Sequence, residues 1–316
     1  MKILVTGASG SLGQCLIKKL INDKSVEIYA TDIKPNPYAD VENLHYKLFD
    51  LRHSAFTDWV LETKPEKVIH LASILQISAQ MTREQAYEID VIATESLLQT
   101  CVSLAVQKFI ITTSGAAYGY FKKNNQIITE DRQPEGNPDY FYSAHKAEVE
   151  AIMAEYRKKQ PQLKQLIFRP GAILGPDFMG PIVNLFQQKF ITGLIGYPGP
   201  FNFIWSEDVA DYIIEGINSE ITGEYNVAGD GSMSMAQIAA KLHKLYLPLP
   251  AVLIQFILTL AKPLGLTQYG PEQVKFIKYR PVLSNEKIKA CFKHQPRYSS
   301  EQAMDAFLAY QKKSGI

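Results

Sequence analysis

Apolar residues follow two alternating patterns over the first half of the chain. Short β-rich runs occupy 3–6, 26–31, 44–48, 67–72, 109–113 and 163–168. Between them, 12–21, 55–61, 83–105 and 142–159 space their apolar residues at three and four, the period of a helix. This alternation predicts a parallel sheet with helices on both faces. Right-handed crossovers would make it a doubly wound, Rossmann-type α/β fold. Glycines and prolines become dense after Gly171, and 171–200 reads as loops on a rigid scaffold. Helical patterns return at 208–217, 235–245 and 301–310, and Ser234 with Gln237 and Ser299 with Gln302 form capping boxes. The expected organisation is a Rossmann domain over 1–170 and a smaller C-terminal α/β lobe over 171–316. Segments around 202–228 are expected to return to the main sheet.

Charge and composition remove several function classes. The 316 residues carry 33 Lys and Arg against 32 Asp and Glu, a balance that excludes an electrostatic nucleic-acid binder. Cys15, Cys101 and Cys291 are odd in number and far apart, so neither a disulfide framework nor a Cys-x-x-Cys site is expected, and a reducing cytoplasm is. The six histidines show no metal-ligand spacing, and no metal is expected. A strand pattern from Lys2 leaves no room for a signal peptide. Only Lys262 is charged within 247–266, yet Pro248, Pro250, Pro263 and Gly265 interrupt that segment. Its unbroken part, 251–261, falls short of the ~20 residues of a membrane span, so a buried or surface-lying amphipathic helix is expected there and no integral span.

Candidate chemistry begins at Thr6-Gly7-Ala8-Ser9-Gly10-Ser11-Leu12-Gly13, between the first strand and the first helix. A tight turn needs a residue tolerant of positive φ, and a pyrophosphate reaches backbone only where no side chain intervenes. The helix N-terminus then supplies free N–H groups and partial positive charge. Asp32 ends the second strand, 19 residues past Gly13, where a carboxylate accepts hydrogen bonds from ribose hydroxyls and repels a 2′-phosphate. NAD is therefore expected rather than NADP, with Lys34 softening the preference. Asp50-Leu51 follows the third strand, where an acid can meet an adenine amino group or simply serve a turn.

Tyr142 and Lys146 are i and i+4 on one helix face. A neighbouring ammonium, and an oxidised nicotinamide, would lower the phenol's pKa and fit it to proton transfer on an alcohol. Ser114 directly follows the fifth strand, beyond whose carboxyl end ligands bind in open α/β sheets, and its hydroxyl can polarise a substrate oxygen.

Together with His70-Leu71-Ala72, Arg169-Pro170, Trp205 to Ala210 and Asn226 to Gly229, these motifs resemble the extended short-chain dehydrogenase/reductases. More narrowly, the chain resembles the NAD-dependent epimerase/dehydratase family, including its UDP-glucose 4-epimerase-like members. The resemblance implies a catalytic trio of Ser114, Tyr142 and Lys146. It places the pyrophosphate at Gly7, Ser9, Gly10, Ser11, Leu12 and Gly13. Asp32, Ile33, Asp50, Leu51, Leu71, Ala72, Ser73, Thr112, Pro170 and Ile173 join Tyr142 and Lys146 as further dinucleotide contacts. It also implies a homodimer through a four-helix bundle built from 83–105 and 142–159.

Three positions depart from the family pattern. Asp90 stands where an Asn is usual and cannot donate as Asn does. Gly115-Ala116 replaces the acidic pair of the sugar dehydratases, which argues against elimination of water. Ala172 and Leu75 replace an Asn and a Lys found in nucleotide-sugar epimerases. In the apolar second half, Arg280 and Arg297 are the residues that could close over phosphates. Two readings follow: a UDP-sugar epimerase-like enzyme, or an NAD(P)-dependent dehydrogenase or ketoreductase on a less polar, lipid- or steroid-like substrate. A complete trio argues against a non-catalytic binding protein.

Overall fold

The computed structural model describes residues 1–38, 40–78, 80–176, 178, 180–267 and 270–314, with the side chains of Pro181 and Ser314 left aside. In chain order the first half contains β1 (Lys2–Thr6), α1 (Ser11–Leu20), β2 (Glu27–Asp32), β3 (Leu44–Leu48), α2 (Ser54–Thr63) and β4 (Lys67–His70). It continues with α3 (Arg83–Tyr87), α4 (Ala93–Ser103), β5 (Lys108–Thr112), α5 (Phe141–Lys159) and β6 (Lys164–Pro170). The second half adds β7 (Ala172–Leu174), α6 (Pro181–Gln187), β8 (Phe190–Leu194), β9 (Phe203–Trp205), α7 (Ser206–Ile217) and β10 (Gly223–Val227). The last elements are α8 (Met235–Lys241), β11 (Leu245–Leu249), α9 (Ala251–Ala261), α10 (Gln273–Lys278), α11 (Glu286–Cys291) and α12 (Ser300–Ser314).

Seven strands form one parallel sheet in the order β10-β6-β5-β4-β1-β2-β3. Alternation along each strand divides its residues between two cores. Ile3, Val5, Ile69, Ile110, Leu166 and Phe168 pack with Leu16, Ile17, Val209 and Ile213 from α1 and α7. Leu4, Val68, Phe109, Ile111 and Ile167 pack on the opposite face with Trp59, Leu98, Val149 and Met153 from α2, α4 and α5. A third core joins β7, β9, α6, α8 and α12 through Leu174, Phe186, Phe203, Trp205, Ile238, Met304 and Phe307. Between α3 and α4 the chain makes a π-helical turn over Glu88–Ile92, whose extra residue helps set the direction of Asp90.

Strand order reverses between β4 and β1, opening a crevice at their carboxyl ends. The segment 171–200, expected as loops, contains β7, α6 and β8. The helix expected over 235–245 ends at Lys241. His243 takes a left-handed backbone (φ 53°), and Leu245 begins β11, whose pairing with β8 overrides the helical spacing. The segment 251–261 is a surface-lying helix with no buried residue, as one of the two expected placements had it, but it is apolar on both its inward and outward sides rather than amphipathic. Among the described residues, no helix is long and apolar enough to cross a membrane.

Candidate active site

Backbone crowding dictates the glycines of the first turn. Gly7 has φ 69°, and a Cβ there would stand 2.5 Å from the Ala72 nitrogen. A Cβ on Gly13 would overlap the Gly7 carbonyl oxygen and Ala8, so α1 seats directly on the turn. Gly10 is the N-cap of α1, offers no capping side chain, and is followed by no acid in the first turn. The first-turn amides of Ser11, Leu12 and Gly13 therefore present uncompensated positive potential, which suits a pyrophosphate. This cradle fits a dinucleotide.

Asp32 is fixed beside the turn by two backbone donors: Ser9 N–H to Oδ2 (3.0 Å) and Lys34 N–H to Oδ1 (3.1 Å). Ile33 is exposed next to it. Two tyrosines that the sequence reading missed brace this end. The Tyr46 hydroxyl donates to the Lys34 carbonyl (2.7 Å) and lies 2.6 Å from Ser9 Oγ, while Tyr38 donates to the Ala8 carbonyl (2.7 Å). The signal was the alternation Leu44, Tyr46, Leu48 on β3. The Asp50 carboxylate is instead engaged by Arg52 (2.6 Å to Nη2, 3.0 Å to Nε), with Leu51 half-buried beside the second core. That engagement favours the turn role over a free contact to adenine.

Leu71, Ala72 and Ser73 leave the end of β4 across the crevice. Leu71 N–H donates to the Thr6 carbonyl (3.2 Å), and Ser73 Oγ donates to Asp90 Oδ1 (3.1 Å). Asp90 also accepts from Ile74 N–H (2.8 Å) and lies 3.0 Å from His145 Nδ1, so the carboxylate is buried and well partnered. His70 sits behind it. The Thr94 hydroxyl donates to the Asp90 carbonyl (2.7 Å), so His70 Nε2 donates to Thr94 (2.9 Å) and Nδ1 accepts from Thr6 (2.7 Å). Burial, reinforced by Lys146, drives the His70 pKa down to about 3, and the ring stays neutral.

Ser114 caps the short 3-10 turn after β5, accepting from Ala116 N–H (3.1 Å), and hydrogen-bonds the Tyr142 phenol. Tyr142 and Lys146 project from the first turns of α5. The Lys146 ammonium lies 5.8 Å from the Tyr142 ring and donates to the Thr112 carbonyl (3.3 Å). Pro170 ends β6 at the same sheet edge, and Ile173 follows in β7. The structure thus brings Ser114, Tyr142, Lys146 and Thr112 together.

The chain's own groups do not make the phenol acidic before the cofactor's positive charge is added. Enclosure raises the Tyr142 pKa above its ordinary value, and the Ser114 hydrogen bond only opposes this. Burial also lowers the Lys146 pKa against the pull of Asp90 and Glu150. Desolvation of the phenolate is the dominant effect, and Tyr120 and Asp90 add to it.

Beneath the trio lies a buried network in which the motif residues Arg169 and Asn226 meet Glu150, Tyr118 and Thr113, three members that the sequence did not single out. Arg169 donates to Glu150 through Nε (2.9 Å to Oε2) and Nη2 (2.5 Å), and to the Tyr118 hydroxyl through Nη1 (2.7 Å). Tyr118 donates to Asn226 (2.8 Å), and Thr113 donates to Glu150 (2.6 Å). Glu150 lies one turn beyond Lys146 on α5, a spacing that could have revealed it. Tyr120, Tyr140 and Phe276 form an aromatic wall against Tyr142, with the Tyr140 and Phe276 centroids 4.2 Å apart. The Arg280 guanidinium lies 3.8 Å from the Phe201 ring and 5.8 Å from that of Tyr120. Among the described residues its buried Nε has no hydrogen-bond partner. Arg297 is bound instead to Asp208 (2.6 Å) and Asp211 (2.5 Å), so it is not free to close over a phosphate. With Lys19 it also neutralises the Asp208, Asp211 and His294 group, the one metal-like cluster among the described residues.

The profile of the NAD dependent epimerase/dehydratase family matches residues 3–228. The chain belongs to this family. It is therefore an NAD-dependent enzyme, and Gly7, Gly13 and Asp32 are the observed features that fit the cofactor. The dTDP-D-glucose 4,6-dehydratase of Dictyostelium discoideum is 26% identical over 272 residues, covering 76% of this chain and 61% of that protein. The chain thus spans about three-fifths of that relative's length. Sterol demethylase protein B of Methylococcus capsulatus is 28% identical over 296 residues, covering 89% of this chain and 87% of the relative. The structure of Thermus thermophilus UDP-glucose 4-epimerase in complex with NAD superposes with a TM-score of 0.73 at 21% identity, covering 99% of each chain. That likeness establishes the fold.

Proposed function

We propose that the protein oxidises and reduces a carbon bearing a secondary hydroxyl, with Tyr142 as its proton carrier. The observation that carries this reading is the meeting of Ser114, Tyr142 and Lys146 at the carboxyl end of β5, on the same edge of the sheet as the Gly7 turn. Bound NAD supplies the hydride-transfer chemistry. Ser114 orients the substrate oxygen, Tyr142 Oη takes or returns its proton, and Lys146 stabilises the phenolate as it forms. In this reading 1–170 holds the cofactor, and 171–316 supplies most of the substrate lobe.

The leading substrate class is a nucleotide sugar, with epimerase-like chemistry. Arg280 supports it: its guanidinium, 5.8 Å from the Tyr120 ring, sets a cation at the aromatic wall, and its buried Nε has no hydrogen-bond partner among the described residues. Elimination is disfavoured because Gly115-Ala116 stands where the sugar dehydratases carry their acidic pair. The second reading, a dehydrogenase or ketoreductase on a less polar alcohol, is favoured by the aromatic wall of Tyr120, Tyr140 and Phe276. A homodimer through α4 and α5 fits the exposure of Ile92 and the half-buried Ile152 and Tyr156. Three free cysteines accord with a reducing cytoplasm.

Mass spectrometry of ligands released from the purified protein, followed by UDP-glucose/UDP-galactose interconversion, tests the reading. Bound NAD and interconversion without net NADH change support the epimerase. Net NADH consumption with an apolar ketone moves the assignment to the second reading. Neither activity, with no NAD bound, overturns both.

A further inference from the structure

The helix α9 lies on the surface yet is apolar on nearly every side, with Gln255 and Thr259 its polar residues. Its outward residues are Val252, Leu253, Phe256, Ile257 and Leu260, with Val252 76% and Phe256 61% exposed. Its half-buried residues are Ala251, Ile254, Gln255, Leu258 and Ala261, so the inward side is largely apolar as well. The apolar edge continues past the helix into Leu264 and Leu266, and Ile195 adjoins its start through a hydrogen bond to the Leu249 carbonyl (3.1 Å). A stretch this large and contiguous is uncommon on a monomer that meets only water.

Charge indicates what covers it. Besides Arg280 at the aromatic wall, residues 242–280 carry Lys244, Lys262, Lys275 and Lys278 against one acid, Glu272, whereas the rest of the chain is net negative. Lys262 closes the helix with its side chain half exposed, 3.4 Å from Glu272. Lys275 lies 2.7 Å from Asp139. A second copy seated symmetrically on this face would bring the same cations together. An anionic bilayer complements both features, because acyl chains accept the apolar face while headgroups meet the lysines.

We propose that α9 and the following 262–266 segment dock the protein in the plane of an anionic membrane surface, with Phe256, Ile257 and Leu260 as anchors. The helix packs on α10, whose Phe276 belongs to the aromatic wall, so docking holds the active-site lobe against the lipid surface. This inference is independent of the substrate reading.

Co-sedimentation of the full-length protein with vesicles of phosphatidylcholine and about one-third phosphatidylserine tests it. Binding is expected. It should weaken about tenfold on pure phosphatidylcholine or at high salt, and at least ~30-fold in Phe256→Ser/Leu260→Ser. These residues lie outside the catalytic machinery, so bound NAD and melting temperature should be unchanged in that variant, which separates lost docking from lost folding. No sedimentation with anionic vesicles overturns the proposal. So does an oligomer in lipid-free solution that the double variant dissociates, because a second copy would then be the occupant.

Discussion

Glu150 offers a sharp test of how the active-site floor is held. Its carboxylate and the Arg169 guanidinium are each only 4% exposed, and Arg169 has three Glu150 contacts between 2.5 and 3.0 Å. Glu150→Ala leaves a buried cation whose remaining partner is the Tyr118 hydroxyl (2.7 Å). Breaking a buried pair from one side costs about 3–5 kcal/mol, because the surviving charge is desolvated without compensation. At roughly 2–4 °C per kcal/mol for a chain of this class, the melting temperature should fall by about 6–20 °C. Circular-dichroism melts of the NAD-loaded protein measure this directly. Glu150→Leu/Arg169→Met should melt well above Glu150→Ala, since an apolar pair of similar volume leaves no stranded charge. The reasoning is refuted if Glu150→Ala melts within about 1 °C of the parent, or if the double variant melts no higher than the single.

Other consequences follow from the same geometry. His70 has its pKa depressed to about 3, against an unfolded value near 6.5. The unfolded chain therefore binds the extra proton between those values, and the stability this ring contributes is intact above pH ~6.5 and lost as pH falls toward ~3. Urea titrations across that window should show a slope about 1.4 kcal/mol per pH unit steeper for the parent than for His70→Asn. Gly13→Ala places a methyl against the Gly7 carbonyl. It should cost about 1–3 kcal/mol in urea unfolding and strip bound NAD from the purified protein. Asp32→Asn removes the charge that repels a 2′-phosphate, so the ratio of NAD to NADP affinity should fall at least about tenfold by calorimetry.

Much of this was legible in the sequence because local physics wrote it there. Burial on both faces of the sheet imposed continuous apolar strands, and steric exclusion at Gly7 and Gly13 imposed the glycine spacing. The i, i+4 relation of Tyr142 and Lys146 followed from helix geometry alone. Features set by long-range partners were not visible. Glu150 and Arg169 are 19 residues apart and meet only once α5 packs against β6, and Tyr118 reaches Asn226 across 108 residues. The balance between desolvation and charge at Tyr142 depends on Tyr120 and the enclosing wall, which spacing does not reveal. The β11 segment overrode a helical pattern because its partner, β8, lies far earlier in the chain. Arg297 reads in sequence as available for a ligand, and only the fold sets Asp208 and Asp211 against it.

The central claim is that the Tyr142 hydroxyl carries the substrate proton. Its ring already packs in the aromatic cluster, so Tyr142→Phe removes the hydroxyl and leaves the apolar packing. Turnover and NAD content should be measured on the same preparation of that variant. The account predicts undiminished bound NAD with a rate lower by about 10²–10⁴-fold. A variant that turns over at the parent rate with its NAD in place would contradict it.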